Sequence, residues 1–241
     1  MGWSDIGAAA ALALGLAFAG CDGYPRDANG TLGQVRAGQR SLRVGWSPAE
    51  PWVRAEGGAG DGGPAGVEPD LVRAWAASVG ARVEWVPGGE AQLVRALQRN
   101  AVDVAIAGFS DDAPWGGKTG RTQPYLKAEA VVGAAPGAAV PRDWSGVEIR
   151  HDRRRPDLAA AIRGIGAVPV PADPGGMAPL AAAYAAELAA LGLAPAGKAL
   201  TTERRVIATA PAENALTLAL DRFLLPRGEE IGRRLAAEAR R

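Results

Sequence analysis

The sequence predicts an α/β protein of two lobes, each built on a mostly parallel sheet, with the second lobe shortened. Three observations carry this. Strand and helix patterns alternate from Leu42 onward, a nearly continuous apolar run occupies residues 102–107, and a smaller α/β pattern follows over 128–208 before the chain returns with one more strand. An apolar run of that length suits a strand buried on both faces of a parallel sheet.

The first unit opens on Leu42-Arg43-Val44-Gly45-Trp46, which alternates as a strand should. Leu71, Ala74, Trp75 and Val79 then share one helical face, and residues 82–86 alternate again. A second helix carries Leu93, Val94 and Leu97 inward and leads into the strand at 102–107. The order is βαβαβ. Such units cross over right-handedly and leave a crevice at the carboxyl ends of their strands. Candidate functional residues therefore follow Trp46, lie near Asp70, and follow Ala107.

In the second unit, strands are expected near 130–134, 146–150 and 167–170, with helices over 156–163 and 179–191. A strand at 205–210 then precedes a helix whose stripe is Ala215, Leu216, Ala219, Leu220 and Phe223. The boundaries that follow are 40–127 for the first lobe, 128–208 for the second, and 209–241 for a segment returning to the first. A cleft between two such lobes is a preferred place for a ligand, and hinge closure is a common way to trap one.

Ahead of the lobes, the apolar run at 6–19 is shorter than the ~20 residues of a spanning helix and ends in small residues before Cys21. This reads as a lipoprotein signal over residues 1–20, with Cys21 becoming the lipid-bearing first residue of an extracytoplasmic chain. An ordinary cleaved signal, or an apolar helix with a buried cysteine, is the alternative, since Met1 to Asp5 contains no Lys or Arg. Residues 21–39 are polar and glycine-rich, with only a short helical turn suggested by Thr31-Leu32-Gly33-Gln34-Val35, and read as a tether to the membrane. With 27 basic and 26 acidic residues the net charge is +1, so nucleic acid is not an expected partner. One cysteine and one histidine, His151, exclude an internal disulfide and the usual metal clusters, and no cofactor is predicted. His151, among Arg and Asp, reads as a surface histidine. Gly116-Gly117-Lys118-Thr119 is not a phosphate loop, because Asp112 stands where its first glycine belongs.

Four segments together resemble the bacterial extracellular solute-binding proteins of family 3, the amino-acid-binding type of ATP-driven importers. They are Leu42-Arg43-Val44-Gly45; Gly66-Val67-Glu68-Pro69-Asp70-Leu71 with the following Trp75 to Gly80; Val102 to Gly108; and Thr122-Gln123-Pro124-Tyr125. The resemblance implies a ligand between the lobes. It makes Trp52, beside Glu50, an aromatic platform, with a core tryptophan as the equal alternative. It also assigns Gly108 and Ser110 to ligand contact.

Where the family has a threonine and a carboxylate-clamping arginine, this chain has Asp112 and Trp115. Without that guanidinium fork, and with Asp111 and Asp112 nearby, the expectation shifts toward a cationic or amine-bearing solute. The same residues are equally good turn chemistry. In the second lobe the family's Gly-Thr or Gly-Ser pair falls on Asp152 and Arg153. Arg153, Arg154 and Arg155 crowd the start of a helix at Pro156 and are read as a solvated cluster, or as an anion site with Arg153 taking a carboxylate. Asp173 is a candidate partner for an amine.

The resemblance thus implies a binding protein that hands a small solute to an ABC permease while anchored to a membrane. An enzyme of dehydratase type on the same fold, with Glu50, Glu68 or Asp112 moving a proton, is one alternative. A sensory or partner-regulating lipoprotein is another.

Overall fold

The computed structural model describes residues 25–55, 60–115, 117–173 and 178–238. The signal at 1–20 and Cys21 lie outside the described residues, as does part of the glycine-rich loop 57–66.

The first sheet is built from β1 (Leu42–Trp46), β2 (Val83–Pro87), β3 (Val104–Ile106), β4 (Gly120–Arg121) and β10 (Ala208–Thr209), in the order β2-β1-β3-β10-β4. β1 runs parallel to both β2 and β3, whereas β10 is antiparallel to β3 and β4. Helix α2 (Val67–Ser78) lies between β1 and β2 and buries Leu71, Val72 and Trp75; α3 (Glu90–Gln98) buries Leu93 and Leu97. These are the predicted βαβαβ stripes. Just before β3, Asp103 is 2 % exposed and its carboxylate takes both Arg40, at 2.6 Å, and Arg43, at 2.7 Å. Burial alone would raise its pKa, but the hydrogen bonds from Arg40 and Arg43 outweigh burial and hold the carboxyl below the ordinary aspartate range.

The second sheet contains β5 (Leu126–Ala134), β6 (Glu148–Asp152), β7 (Val168–Ala172), β8 (Leu180–Tyr184) and β9 (Ala194–Arg205), ordered β7-β6-β8-β5-β9. β7, β6 and β8 are parallel, and β5 pairs antiparallel with both β8 and β9. Both sheets therefore have five strands. The economy of the second lobe lies in its helices: α4 (Pro156–Gly164) and the four-residue α5 (Ala185–Leu188).

One expectation is overturned here. The segment 179–191, read as a helix from its alanines, instead forms β8 over Leu180–Tyr184 and is helical only from Ala185 on, as the short α5 and a 3-10 turn at Ala189–Leu191. β8 sits between β5 and β6 in the sheet, and small side chains at Ala182 and Ala183 fit that buried place. Packing between two neighbours outweighs the few tenths of a kcal/mol per residue by which alanine favours helix.

Residues 25–39 are a second correction, because from Pro25 on the supposed tether is folded. Asp27 accepts hydrogen bonds from the Leu32 and Leu216 N–H groups, at 2.8 and 2.9 Å. Glu213 accepts from the Asn29 and Thr31 N–H groups, at 2.8 and 3.3 Å. These carboxylates seat helix α1 (Thr31–Arg36) against α6 (Asn214–Leu224), and Val35 is fully buried. The C-terminal segment also departs from expectation. α6 packs on the first lobe, but α7 (Gly228–Glu238) touches α2 on one side and α5 and β5 of the second lobe on the other. It thus touches both lobes, and its ion pairs hold it to the first, with Glu238 2.9 Å from Arg54 and Arg234 3.4 Å from Asp70.

Candidate functional site

Five chain segments meet between the lobes. After β1, a tight turn closed by a bridge between Ala49 and Val53 presents Glu50 and Trp52. After β3, Gly108 takes φ +61°, a conformation glycine adopts at no steric cost, and any Cβ there would stand 2.8 Å from Trp52 Cδ1. From the second lobe come Asp152 to Arg155, between β6 and α4, and Tyr184 at the end of β8. Arg205, last residue of β9, stands where the chain crosses back to the first lobe; its backbone bridges Ser110.

Trp52 is 2 % exposed, and its ring meets Tyr184 edge-on, with centroids 5.5 Å apart. The indole N–H donates to Tyr184 Oη at 3.2 Å. The Arg205 guanidinium lies 4.9 Å from the centroid of Trp52 and donates to Tyr184 Oη at 2.8 Å. It also donates to the Gly108 carbonyl and to the Glu203 carboxylate. Glu50 and Arg154 form an ion pair of 2.5 Å from one lobe to the other, and Arg154 also holds Asp152 at 2.7 Å. Burial would raise the Asp152 carboxyl, yet its hydrogen bonds with Arg154 bring it below the ordinary range. The cleft so walled measures about 430 Å³. A smaller hollow of about 90 Å³ shares Glu50 and Arg154 with it and extends toward Arg54 and His151.

Behind this wall, Glu68 on α2 is fully buried and accepts from the Gly108 N–H at 3.0 Å and the Tyr125 O–H at 2.7 Å. Burial pushes its carboxyl up, against the pull of those donors and of Arg205. A carboxylate so enclosed fixes the Gly108 turn. It has no route to a solute in the cleft, which removes it as a proton-transfer candidate.

Of the residues singled out in the sequence, Glu50, Trp52 and Gly108 line the cleft. Ser110 lies next to it, its hydroxyl donating to Asp112. Asp112 and Trp115 do not line it. Trp115 is buried, stacked edge-on against Phe109 at 4.5 Å, and donates its N–H to Glu90 at 3.1 Å. Asp111 pairs with Arg204 at 3.2 Å. The cationic platform expected from Asp111, Asp112 and Trp115 is thus not assembled, because each side chain is engaged locally. Asp70 faces outward on α2 toward Arg73 and Arg234.

Arg153 and Asp173 pair with each other at 2.9 Å, both more than half exposed. The arginine cluster is solvated only in part: Arg153 and Arg154 are exposed, and Arg155 is not. Arg155 is 4 % exposed, lies 3.9 Å from the centroid of Tyr184, and reaches Asp157 at 3.0 Å. His151 is buried in β6 rather than exposed, its Nδ1 donating to the Asp152 carbonyl at 2.9 Å. Among the described residues, no three His, Cys, Asp or Glu side chains converge on a metal site.

The sequence reading missed Tyr184 and Arg205. Tyr184 fell inside the misassigned helix. Arg205 had a signal, a cation leading the apolar strand Val206-Ile207-Ala208, but only the crossing of the chain shows where it points.

The description "Bacterial extracellular solute-binding proteins, family 3" matches the chain over residues 42–225. No curated protein matches it. Among solved structures, an ancestral cationic amino acid solute-binding protein aligns at TM-score 0.64 and 19% identity, over 88% of this chain and 100% of that one. A Bacillus subtilis protein aligns at TM-score 0.63 and 16% identity, over 82% and 88%. A binding component of an ABC transporter from Wolinella succinogenes, complexed with lysine, aligns at 0.55 and 18%, over 79% and 91%. At these identities the likeness is one of fold.

Proposed function

Since the chain belongs to the bacterial extracellular solute-binding proteins of family 3, we propose that it captures a small polar, amino-acid-like solute between its lobes and delivers it to an ABC permease. The observation that carries this reading is the cleft of about 430 Å³, walled by Glu50, Trp52 and Gly108 of one lobe and Arg154 and Tyr184 of the other. A pocket of this size suits a molecule of amino-acid dimensions, and the charged side chains that line it beside Trp52 and Tyr184 would fix its orientation. A solute touching both walls favours the closed arrangement only by its differential affinity for that state. The closed shape is what the permease would recognise. Similar structures include proteins described as binding lysine or cationic amino acids. Here, however, the residues first read as a cation platform are occupied elsewhere, so the preference for a cation is dropped. The Cys21 pattern supports an extracytoplasmic chain held to a membrane by lipid.

The reading is one of binding and not of catalysis: of the carboxylates considered for proton transfer, Glu68 is sealed off and Glu50 is tied to Arg154. A thermal-shift screen of the full chain against amino acids, polyamines, betaines and organic acids tests it. A solute at a hundred times its dissociation constant adds ~2.7 kcal/mol of stability, and at least one amino-acid-like compound is expected to raise the melting temperature. Turnover of a prephenate-like acid would refute the binding reading in favour of an enzyme.

A further inference from the structure

We propose that the cleft contains a preformed seat for a guanidinium group and that the chain's own Arg205 occupies it. The seat is recognisable from what surrounds the group. One face of the guanidinium looks onto Trp52 at 4.9 Å. Its nitrogens donate to a phenol oxygen (Tyr184), a backbone carbonyl (Gly108) and a carboxylate (Glu203). Arg205 is 7 % exposed, and these acceptors come from the first lobe, the second lobe and the crossing strand. An aromatic face, a carboxylate and neutral oxygens in the plane of the donors are the chemistry that recognises a free guanidinium ligand.

The Tyr184 hydroxyl, the Trp52 ring and the Gly108 carbonyl do not depend on Arg205 to be in place, whereas the Glu203 carboxylate, about a third exposed, is joined to the seat through Arg205 itself. Trp52 and Tyr184 hydrogen-bond each other directly, and the Gly108 turn is held from behind by Glu68. Gly108 has no side chain, and a Cβ would press on Trp52, so only glycine lets the backbone pass this close to the ring. Removing the Arg205 side chain therefore leaves a lined hole with a net acceptor character.

A tethered occupant competes at an effective concentration of the order of millimolar or above, with no cost of association. Free guanidinium compounds should consequently be excluded from the wild-type seat and admitted when the tethered group is cut away. This rests on the cleft being the solute site, but the two claims separate: a wild-type solute can be absent while the vacated seat still binds.

The experiment is titration of the full-length Arg205→Ala variant and the wild type with methylguanidinium and L-arginine, with methylammonium as control. The variant is expected to bind the guanidinium probes at least about tenfold more tightly than the wild type does, and to show no such gain for methylammonium. A folded variant with no gain, a wild type that binds the probes as well as the variant, or an equal gain for methylammonium overturns the proposal. Should the variant be unfolded by circular dichroism, it is refolded in methylguanidinium. Recovery of cooperative melting there, and not in methylammonium, supports the seat, and failure to recover overturns it. A null wild-type solute screen beside a guanidinium-binding variant would leave the seat standing and count against solute capture.

Discussion

Trp52→Ala lowers stability by about 3–5 kcal/mol, the range for deleting a large buried ring. Three losses coincide at this position. The indole is 2 % exposed and packed edge-on against Tyr184, its N–H bonds the Tyr184 hydroxyl, and its face carries Arg205. Because Trp52 belongs to the first lobe and Tyr184 to the second, the same substitution loosens the lobes from each other and weakens any solute held between them. Denaturant unfolding measures the first effect. Trp52→Phe keeps most of the ring and loses the hydrogen bond, so it should cost only about 1–2 kcal/mol. Equal costs for the two variants would mean that the ring's packing is not what joins the lobes.

Asp103→Asn is the second large effect, about 2–3 kcal/mol at neutral pH, the scale of losing charge-assisted hydrogen bonds. Asp103 receives Arg40, Arg43 and the Arg43 N–H at the point where β3 begins beside β1. Neutralising it leaves two guanidinium groups, each about a quarter to a third exposed, with a weaker acceptor. The pH dependence has a definite sign. The folded carboxyl titrates below its unfolded value, so its contribution is fully present above the unfolded value, near 4, and is lost as pH falls through the folded one. Wild type and variant should therefore differ most at pH 7 and converge in acid. A gap that is flat from pH 7 down to pH 2 would contradict the assignment.

The first lobe was legible because its stripes are strong. Leu71 and Trp75 repeat at helical spacing, Val83 to Val86 alternate, and the run into Ile106 is nearly unbroken, so period alone fixes element type and order. The second lobe was less so. Leu180-Ala181-Ala182-Ala183-Tyr184 has the composition of a helix and becomes a strand only through its neighbours, which no local pattern reveals. Folding of residues 25–39 depends on Asp27 and Glu213, almost two hundred positions apart, and polar composition alone reads as a linker.

The candidate site divides the same way. Glu50, Trp52 and Gly108 line the cleft because topology opens a crevice at the carboxyl ends of β1 and β3, where the family resemblance also places Trp52 and Gly108. Asp112 and Trp115 were misjudged because local partners, Ser110 and Glu90, claim them. Arg205 was missed because its role arises from the crossing of β9 between lobes.

The measurement that tests capture between the lobes most directly is amide hydrogen exchange of the full chain with and without the best solute from the thermal screen. Protection is predicted to rise together on both walls, at residues 49–53 and 108–110 of one lobe and at 152–155 and 184 of the other. Protection confined to a single lobe, or located away from both walls, would contradict the account.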